Sequence, residues 1–286
     1  QTENFGKTKY DGVFGIWYGK GPGLDRSGDA LKHGNYSGVG PNGGVLVLAG
    51  DDHGAKSSTT AHQSDHAFIH FGMPILNPST VQDYLDFGIY GWAMSRYAGC
   101  WVGFKCVTDT VESSASVSVD SDRIQIIFPD DEVRTPYPGE VTTHLPPAVQ
   151  AEAAVAKRQQ AAKAFVKVNK LDRLVMSAPQ AKLGIITSGK AYLDVREALD
   201  ELGINDKNFS EYGIALYKVA MVWPLEPEGI LTFSENLEEI LVIEEKRPVM
   251  EEQLSRLLYD LDARPRLIGK NDEMGIPLIP AIGELS

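Results

Sequence analysis

Short apolar runs, each closed by glycine or polar residues, alternate along the chain with segments of helical periodicity. Gly12 to Tyr18 is aromatic and β-branched and runs directly into the glycine-rich Gly19-Lys-Gly-Pro-Gly23, which predicts a buried strand ending in a loop. Gly44 to Ala49 predicts a second strand, closed by Gly50-Asp-Asp-His-Gly54, and Ser57 to Phe71, free of Gly and Pro, has the length of a helix. Pro74 to Leu76 is a third apolar run, ended by Asn77-Pro78. From Thr80 to Tyr97, Val81, Tyr84, Leu85, Ile89 and Trp92 recur at spacings of three and four, the pattern of an amphipathic helix, and Cys100 to Val107 follows as a strand.

The texture changes from Pro129 to Pro147, where five prolines exclude both helix and central strand, so this stretch is expected to be an extended connection. Ala148 to Lys170, rich in Ala, Gln, Lys and Glu, predicts a surface helix. A second alternating unit then begins at Lys182. It has strands at Leu183–Ser188, Ile214–Val219 and Glu239–Ile243, and helices at Tyr192–Leu202, Glu226–Ser234 and Pro248–Leu261. The fold class that follows is α/β: two doubly wound, mostly parallel-sheet domains, 1–128 and 182–286, joined by a Pro-rich connection and a helix over 129–181. Ligands of such sheets sit at the carboxyl ends of the strands.

A chain of 286 residues, 43% hydrophobic, can bury a core of that size. Its formal charge of −12 disfavours nucleic acid and anionic lipid as partners. No apolar run reaches the length of a membrane span and no signal segment opens the chain, so cytoplasm is the expected location. Two cysteines, Cys100 and Cys106, are too few for a four-thiolate cluster or zinc site. The polar opening from Gln1, without a methionine, is read as a cut end.

Chemistry concentrates after the predicted strands. Lys20 and Arg26, in a glycine-rich loop, have the charge and backbone access to hold a carboxylate or phosphate, or they are surface charges on a tight turn. Asp52, His53, Lys56, Ser57 and Ser58 crowd hydrogen-bonding groups into one connection, as an active-site wall requires, although Ser57, Ser58 or Thr59 would equally cap a helix. His62, His66 and His70 recur every four residues. On one helix they would share a face, as zinc ligands or, on base rates, as structural and ligand-facing imidazoles; Gln63 occupies the place of the zinc-protease glutamate, and no metal is assigned. Gly50-Asp51 and Asn77 imitate a motif that holds Mg2+ and diphosphate in thiamine enzymes, but Asp52 stands where its second glycine belongs.

Several longer stretches carry a resemblance. They are Tyr18-Gly-Lys-Gly-Pro-Gly-Leu-Asp-Arg-Ser-Gly-Asp29, Leu48-Ala-Gly-Asp-Asp-His-Gly-Ala-Lys-Ser-Ser58 with His62-Gln-Ser-Asp-His66, and Trp101-Val-Gly-Phe-Lys105 with Thr108-Asp-Thr-Val-Glu-Ser-Ser114. Gly184-Ile-Ile-Thr-Ser-Gly-Lys-Ala-Tyr192 and Glu244-Glu-Lys246 continue it. Together they resemble the indolepyruvate ferredoxin oxidoreductases, the long fused bacterial type of the 2-oxoacid:ferredoxin oxidoreductases. The resemblance implies that the first unit is the later part of a domain holding the aminopyrimidine end of thiamine diphosphate, and that the second is transketolase-C-terminal-like. Mg2+ and the iron-sulfur clusters would belong to other domains or subunits, and the glutamate that activates the cofactor would lie on a helix just before Gln1, a role not given to Glu3.

On that footing the complete enzyme oxidatively decarboxylates an aryl 2-oxoacid to an acyl-CoA, with coenzyme A as co-substrate and ferredoxin as electron acceptor, and assembles as a homo-oligomer. The fragment alone is expected to be inactive. Lys20 and Arg26 would meet the substrate carboxylate; Asp52, His53, Lys56, Ser57, Ser58, His62 and His66 would line the cofactor cleft. The alternative is a noncatalytic docking or regulatory module with a glutamate-rich second domain.

Overall fold

The computed structural model describes residues 10, 12–130 and 147–285. Its first unit runs β1 (Phe14–Lys20), α1 (Gly21–Arg26), α2 (Gly28–Ser37), β2 (Gly44–Asp51), α3 (Asp65–Phe71), β3 (Ile75–Leu76), α4 (Val81–Ala98), β4 (Trp101–Val107) and α5 (Thr108–Val111). Helix α6 (Pro147–Asn169) leads to the second unit: β5 (Arg173–Ser177), β6 (Leu183–Ser188), α7 (Gly189–Glu201), β7 (Ile214–Val219), β8 (Met221–Trp223), α8 (Pro227–Ser234), β9 (Glu239–Ile243), α9 (Met250–Leu258) and β10 (Arg266–Ile268). Among the described residues these strands form two five-stranded sheets, ordered β1-β2-β4-β3-β8 and β10-β9-β6-β7-β5. All pairings are parallel except β3 with β8 and β5 with β7. The α/β class and the largely parallel sheets are as the alternating pattern predicts.

The two units are not independent layers. A single residue, Ala220, separates β7 in the second sheet from β8 in the first, so one strand of the second unit completes the first sheet. Asp172 Oδ1 accepts the N–H groups of Ala220 (2.7 Å) and Met221 (3.3 Å), and the Asn77 N–H donates to the Ala220 carbonyl (2.9 Å), which satisfies the backbone at this crossover. One apolar cluster joins Val47, Phe68 and Ile75 of the first unit to Ile186, Val219, Val242 and Met250 of the second. A second packs α4 and α6 on the opposite face of the first sheet, with Phe165 fully buried.

Sequence and structure part at several points. Ser57 to Phe71 is helical only from Asp65, because the Asp52 carboxylate accepts the Lys56 and Ser57 N–H groups (both 2.8 Å) and Asp51 accepts that of Ser64. These local bonds give the backbone an alternative to helix. Residues 21–26, read as loop, form α1 with Pro22 in its first turn, and 28–37, for which the pattern gives no element, form α2. The short edge strands β5 and β10 also fall outside the sequence pattern, since neither has a buried run long enough to announce it. β5 lies within the segment assigned to the connection, and 131–146 of the Pro-rich stretch lie outside the described residues.

β1 is the outer edge of the first sheet, and its burial alternates between exposed and half-buried along its whole length. Ile16 is 53% and Tyr18 80% exposed. Parallel sheets are ordinarily covered on both faces, so this edge is unusual.

Helix α6 is locked to α2 by Arg158, a buried guanidinium that donates from one nitrogen to the carbonyls of Asn35 (2.9 Å) and Tyr36 (3.1 Å). Arg158→Met should leave both carbonyls unpaired and cost about 1–3 kcal/mol in urea unfolding. A cost below about 0.5 kcal/mol would show that α6 is held by apolar packing alone.

Candidate functional site at the strand ends

The carboxyl ends of β2 and β4 face those of β6 and β9, and the residues that follow each strand meet between the sheets. Asp51 closes β2, paired in register with Val107 at the end of β4. Its buried carboxylate accepts the Ser64 N–H (3.0 Å) and Oγ–H (2.9 Å) and lies 3.8 Å from Lys105 Nζ. Lys105, on β4, is itself buried and donates to Asp65 Oδ2 at 2.7 Å, at the start of α3. His53 lies between the sheets, its Nε2 3.9 Å from Asp51 and its Nδ1 3.4 Å from Glu245 Oε2, just after β9. Glu245 in turn stands 3.5 Å from Lys190 Nζ, which also pairs with Asp194 (2.9 Å) on α7. Carboxylates and cations thus alternate from the first sheet into the second.

The titration shifts record that alternation. Burial would raise Asp51, yet the nearby His53 imidazole, the Lys105 charge and the Ser64 N–H bring it below the ordinary carboxylate value. Burial would likewise lower His53, but Asp51 and Glu245 raise it. Glu245 is lowered, against its burial, by His53 and Lys190, and Lys105 is raised, against its burial, by Asp65 and Asp51. The neighbouring Glu244 serves the fold: its carboxylate accepts the N–H groups of Val249, Met250 and Glu251 at the start of α9.

What remains between the sheets is a cavity of about 20 Å3, lined by His53, Asn77, Lys105, Ser188 and Glu245 among others. Both ring nitrogens of His53 and Oδ1 of Asn77 are buried without a hydrogen-bond partner among the described residues. The space suits a single water molecule. The walls close tightly because Gly189, at φ +57°, opens α7 against Asn77, whose side chain would lie 2.4 Å from an added Cβ.

The residues singled out in the sequence divide among three places. His53 is in the interdomain chain. Lys20, Asp52 and Ser57 gather at the ends of β1 and β2, where Lys20 Nζ donates to the Ser57 carbonyl and Oγ (3.0 Å), and Asp52 is lowered by the Ser57 and Lys56 N–H groups despite burial. Lys56 reaches Asp109 (2.8 Å) and Glu284 (3.0 Å), which raise it; Ser58 is half-buried nearby. His62 precedes α3 and pairs with Asp25 (3.2 Å), fitted so closely beneath Gly21 that a Cβ there would fall 2.0 Å from its ring. His66 is on α3, lowered by burial and the Arg247 charge, and Arg26 lies exposed in the last turn of α1.

His62, His66 and His70 therefore do not share a helix face. Among the described residues no group of three His, Cys, Asp or Glu is placed to hold a metal ion. The Mg2+ likeness of Asp51 and Asn77 fails for a physical reason: Lys105 and His53 already neutralise that carboxylate. Asp65, Lys105, Lys190 and Glu245 carry the arrangement without having been singled out. The one signal for Lys105 is a charge inside the apolar run Trp101 to Val107.

Comparison with known proteins bears first on the fold. Over 94% of the chain the fold matches the 2-oxoglutarate:ferredoxin oxidoreductase of Magnetococcus marinus, solved with 2-oxoglutarate, coenzyme A and succinyl-CoA bound, at a TM-score of 0.59, 16% identity and 51% of that chain. Residues 173–286 match the family model of the indolepyruvate oxidoreductase domain. In sequence, the chain is 28% identical over 268 residues to the indolepyruvate oxidoreductase subunit IorA of Pyrococcus abyssi, and 25% over 276 residues to that of Methanothermobacter thermautotrophicus. Each match covers 92% of this chain but only 39% and 41% of the relative, so the chain spans about two fifths of the proteins it resembles. Across both units the chain is similar to subunits of indolepyruvate oxidoreductases.

Two outcomes are expected of the interdomain charges. Lys105→Met leaves Asp51 and Asp65 buried without their cation and should destabilise by about 3–5 kcal/mol in denaturant unfolding; a near-neutral result would mean that both carboxylates are protonated or hydrated. Because His53 is raised in the folded state, its contribution is complete below the ordinary imidazole value of 6.5 and is lost as pH rises through the raised value. The Tm difference between wild type and His53→Gln should therefore shrink from pH 6 to pH 9, and a constant difference would remove the imidazolium from this chain of interdomain charges, the latch between the two sheets.

Proposed function

We propose that this chain forms part of a thiamine diphosphate-dependent 2-oxoacid:ferredoxin oxidoreductase of the indolepyruvate type, which converts an aryl 2-oxoacid to an acyl-CoA and passes the electrons to ferredoxin. The observation that carries the reading is the likeness to IorA subunits across 92% of the chain, spanning both sheets. The first unit would supply one wall of the cofactor site, at the pyrimidine end, and the second would brace it.

Between the strand ends the described residues leave no space for thiamine diphosphate. The interdomain cavity holds about one water, and the described residues offer no Mg2+ cluster. Asp52 and Lys20 are engaged with Ser57 in their own loop. The remaining wall, the diphosphate and Mg2+ site and the clusters fall in this reading to other domains or subunits. The edge of β1, which no other described strand pairs, with Ile16 and Tyr18 exposed, supports a first sheet built to be continued by other polypeptide.

Two measurements test this together. The intact mass of the native polypeptide should exceed that of the 286-residue chain by more than half. Calorimetry should show thiamine diphosphate and Mg2+ binding to the longer form and none to this chain. A native chain of 286 residues that binds nothing would favour a docking or regulatory module. In the complete enzyme Lys20→Met should raise KM for the 2-oxoacid with little change in kcat if Lys20 meets the substrate carboxylate; an unchanged KM leaves Lys20 as the tie between β1 and the Ser57 loop.

A further inference from the structure

Beyond β10 the chain runs back to the strand ends in irregular backbone, started by Lys270, a buried ammonium that donates to the carbonyls of Glu244 and Pro280. Gly283, Glu284 and Leu285 then lie across both units. Glu284 Oε1 accepts the Gly54 N–H (2.9 Å), and its Oε2 pairs with Lys56 Nζ (3.0 Å), both in the loop after β2. The Leu285 carbonyl accepts from Lys190, and the Leu285 N–H donates to the Glu245 carboxylate (3.3 Å). Lys246 Nζ joins the two sides, donating to the Gly283 carbonyl (3.2 Å) and to the His53 carbonyl (2.9 Å). His53, Lys190 and Glu245, which this segment grips, all line the interdomain cavity.

These contacts are built to be released. They are polar and partly exposed: the Lys56 side chain is 51% and Ile282, beside the segment, 83% exposed. Such pairs hold weakly and are screened by salt. Their loss strands no charge, because Lys56 keeps Asp109 (2.8 Å) and Lys190 keeps Asp194 (2.9 Å). The latch around Lys105 and Asp51, wholly buried, has no such reserve.

The backbone is also strained where the segment grips. Among the described residues four non-glycine residues have a positive φ, and two of them meet here, Ala55 (+55°) from the first unit and Lys246 (+59°) from the second. Ala55 lies between the two residues that Glu284 holds. Conformations of this kind persist only where surrounding contacts over-determine them, and they gather at clamps and switches.

We propose that residues 283–285 are a lid over the strand-end crevice, with Glu284 as its catch. Closed, the lid pins the 54–56 loop to the second unit. Released, it lets Ala55 and Lys246 relax and admits a small polar molecule to the cavity, where the unpaired ring nitrogens of His53 and Oδ1 of Asn77 border the space. The inference does not depend on the oxidoreductase reading.

Thiol labelling of the 286-residue chain tests the lid. Ser188→Cys places a thiol on the cavity wall, where Ser188 is buried, while Cys100, buried just before β4 at the other end of that strand, reports global unfolding. Labelling by iodoacetamide, read at each position by peptide mass spectrometry, should be slow at 188 while the lid is intact. Adding Glu284→Ala removes a charge-assisted hydrogen bond and an ion pair from the closed state alone, and should speed labelling at 188 about tenfold with Cys100 unchanged. Lys246→Met, which frees both Gly283 and His53, should act in the same direction. An unchanged rate at 188 in either variant, folded by circular dichroism, or a rise at 188 matched by an equal rise at Cys100, would overturn the proposal.

Discussion

Lys105 is the charge on which the arrangement of the two sheets rests. It sits on a central strand with nine-tenths or more of its surface buried, and burying an ammonium there is tolerable only because Asp65 and Asp51 lie at 2.7 and 3.8 Å. Two carboxylates on one cation leave a net negative charge, and His53 supplies the compensation on Asp51. His53 then turns to Glu245 of the other unit, and Glu245 to Lys190. Each charge is paid for by the next, so the register between the sheets is set by electrostatics as well as by the shared apolar core. A displacement of one sheet relative to the other would strand a buried ion, a far steeper penalty than sliding apolar surfaces past one another.

This constraint explains why the strand ends are closed. In open α/β sheets the crevice beyond the carboxyl ends is where ligands enter. Here the crevice of one sheet is filled by that of the other, down to a cavity of about 20 Å3. The second unit spends its strand-end groups, Ser188, Lys190, Glu244 and Glu245, on packing and capping. Polar chemistry left accessible lies at the outer side of the first unit, around Lys20 and Ser57, next to the edge strand β1.

How much of this was legible follows from the range of the interactions involved. Long parallel strands with apolar runs, β6, β7 and β9 among them, could be placed to the residue because their pattern is local. The helix expected from Ser57 was cut back by Asp51 and Asp52, whose side chains bond the backbone a few residues on, a competition that composition does not show. His62 could not be told from His66 by spacing, since the shared face presupposes the helix that Asp52 prevents. The partners of His53 are 192 residues apart from it on one side and two on the other, and only the folded chain brings Glu245 to it. What the motifs did carry was kinship: the segments around Asp51 to Ser58, Lys105 and Glu244 to Lys246 that supported the resemblance are those that build the latch.

That coincidence bears on what such motifs mean. A stretch dense in Asp, His, Lys and Ser after a strand reads as catalytic, and much of this one is structural, because two domains meeting at their strand ends need the same groups that hold a ligand. Perturbed titration alone does not separate the two uses: Asp51, His53 and Glu245 are all shifted, and all lie beside an opposite charge. In the latch each buried charge lies beside an opposite one, and the atoms left without a hydrogen bond, both ring nitrogens of His53 and Oδ1 of Asn77, border a cavity with room for a single water molecule.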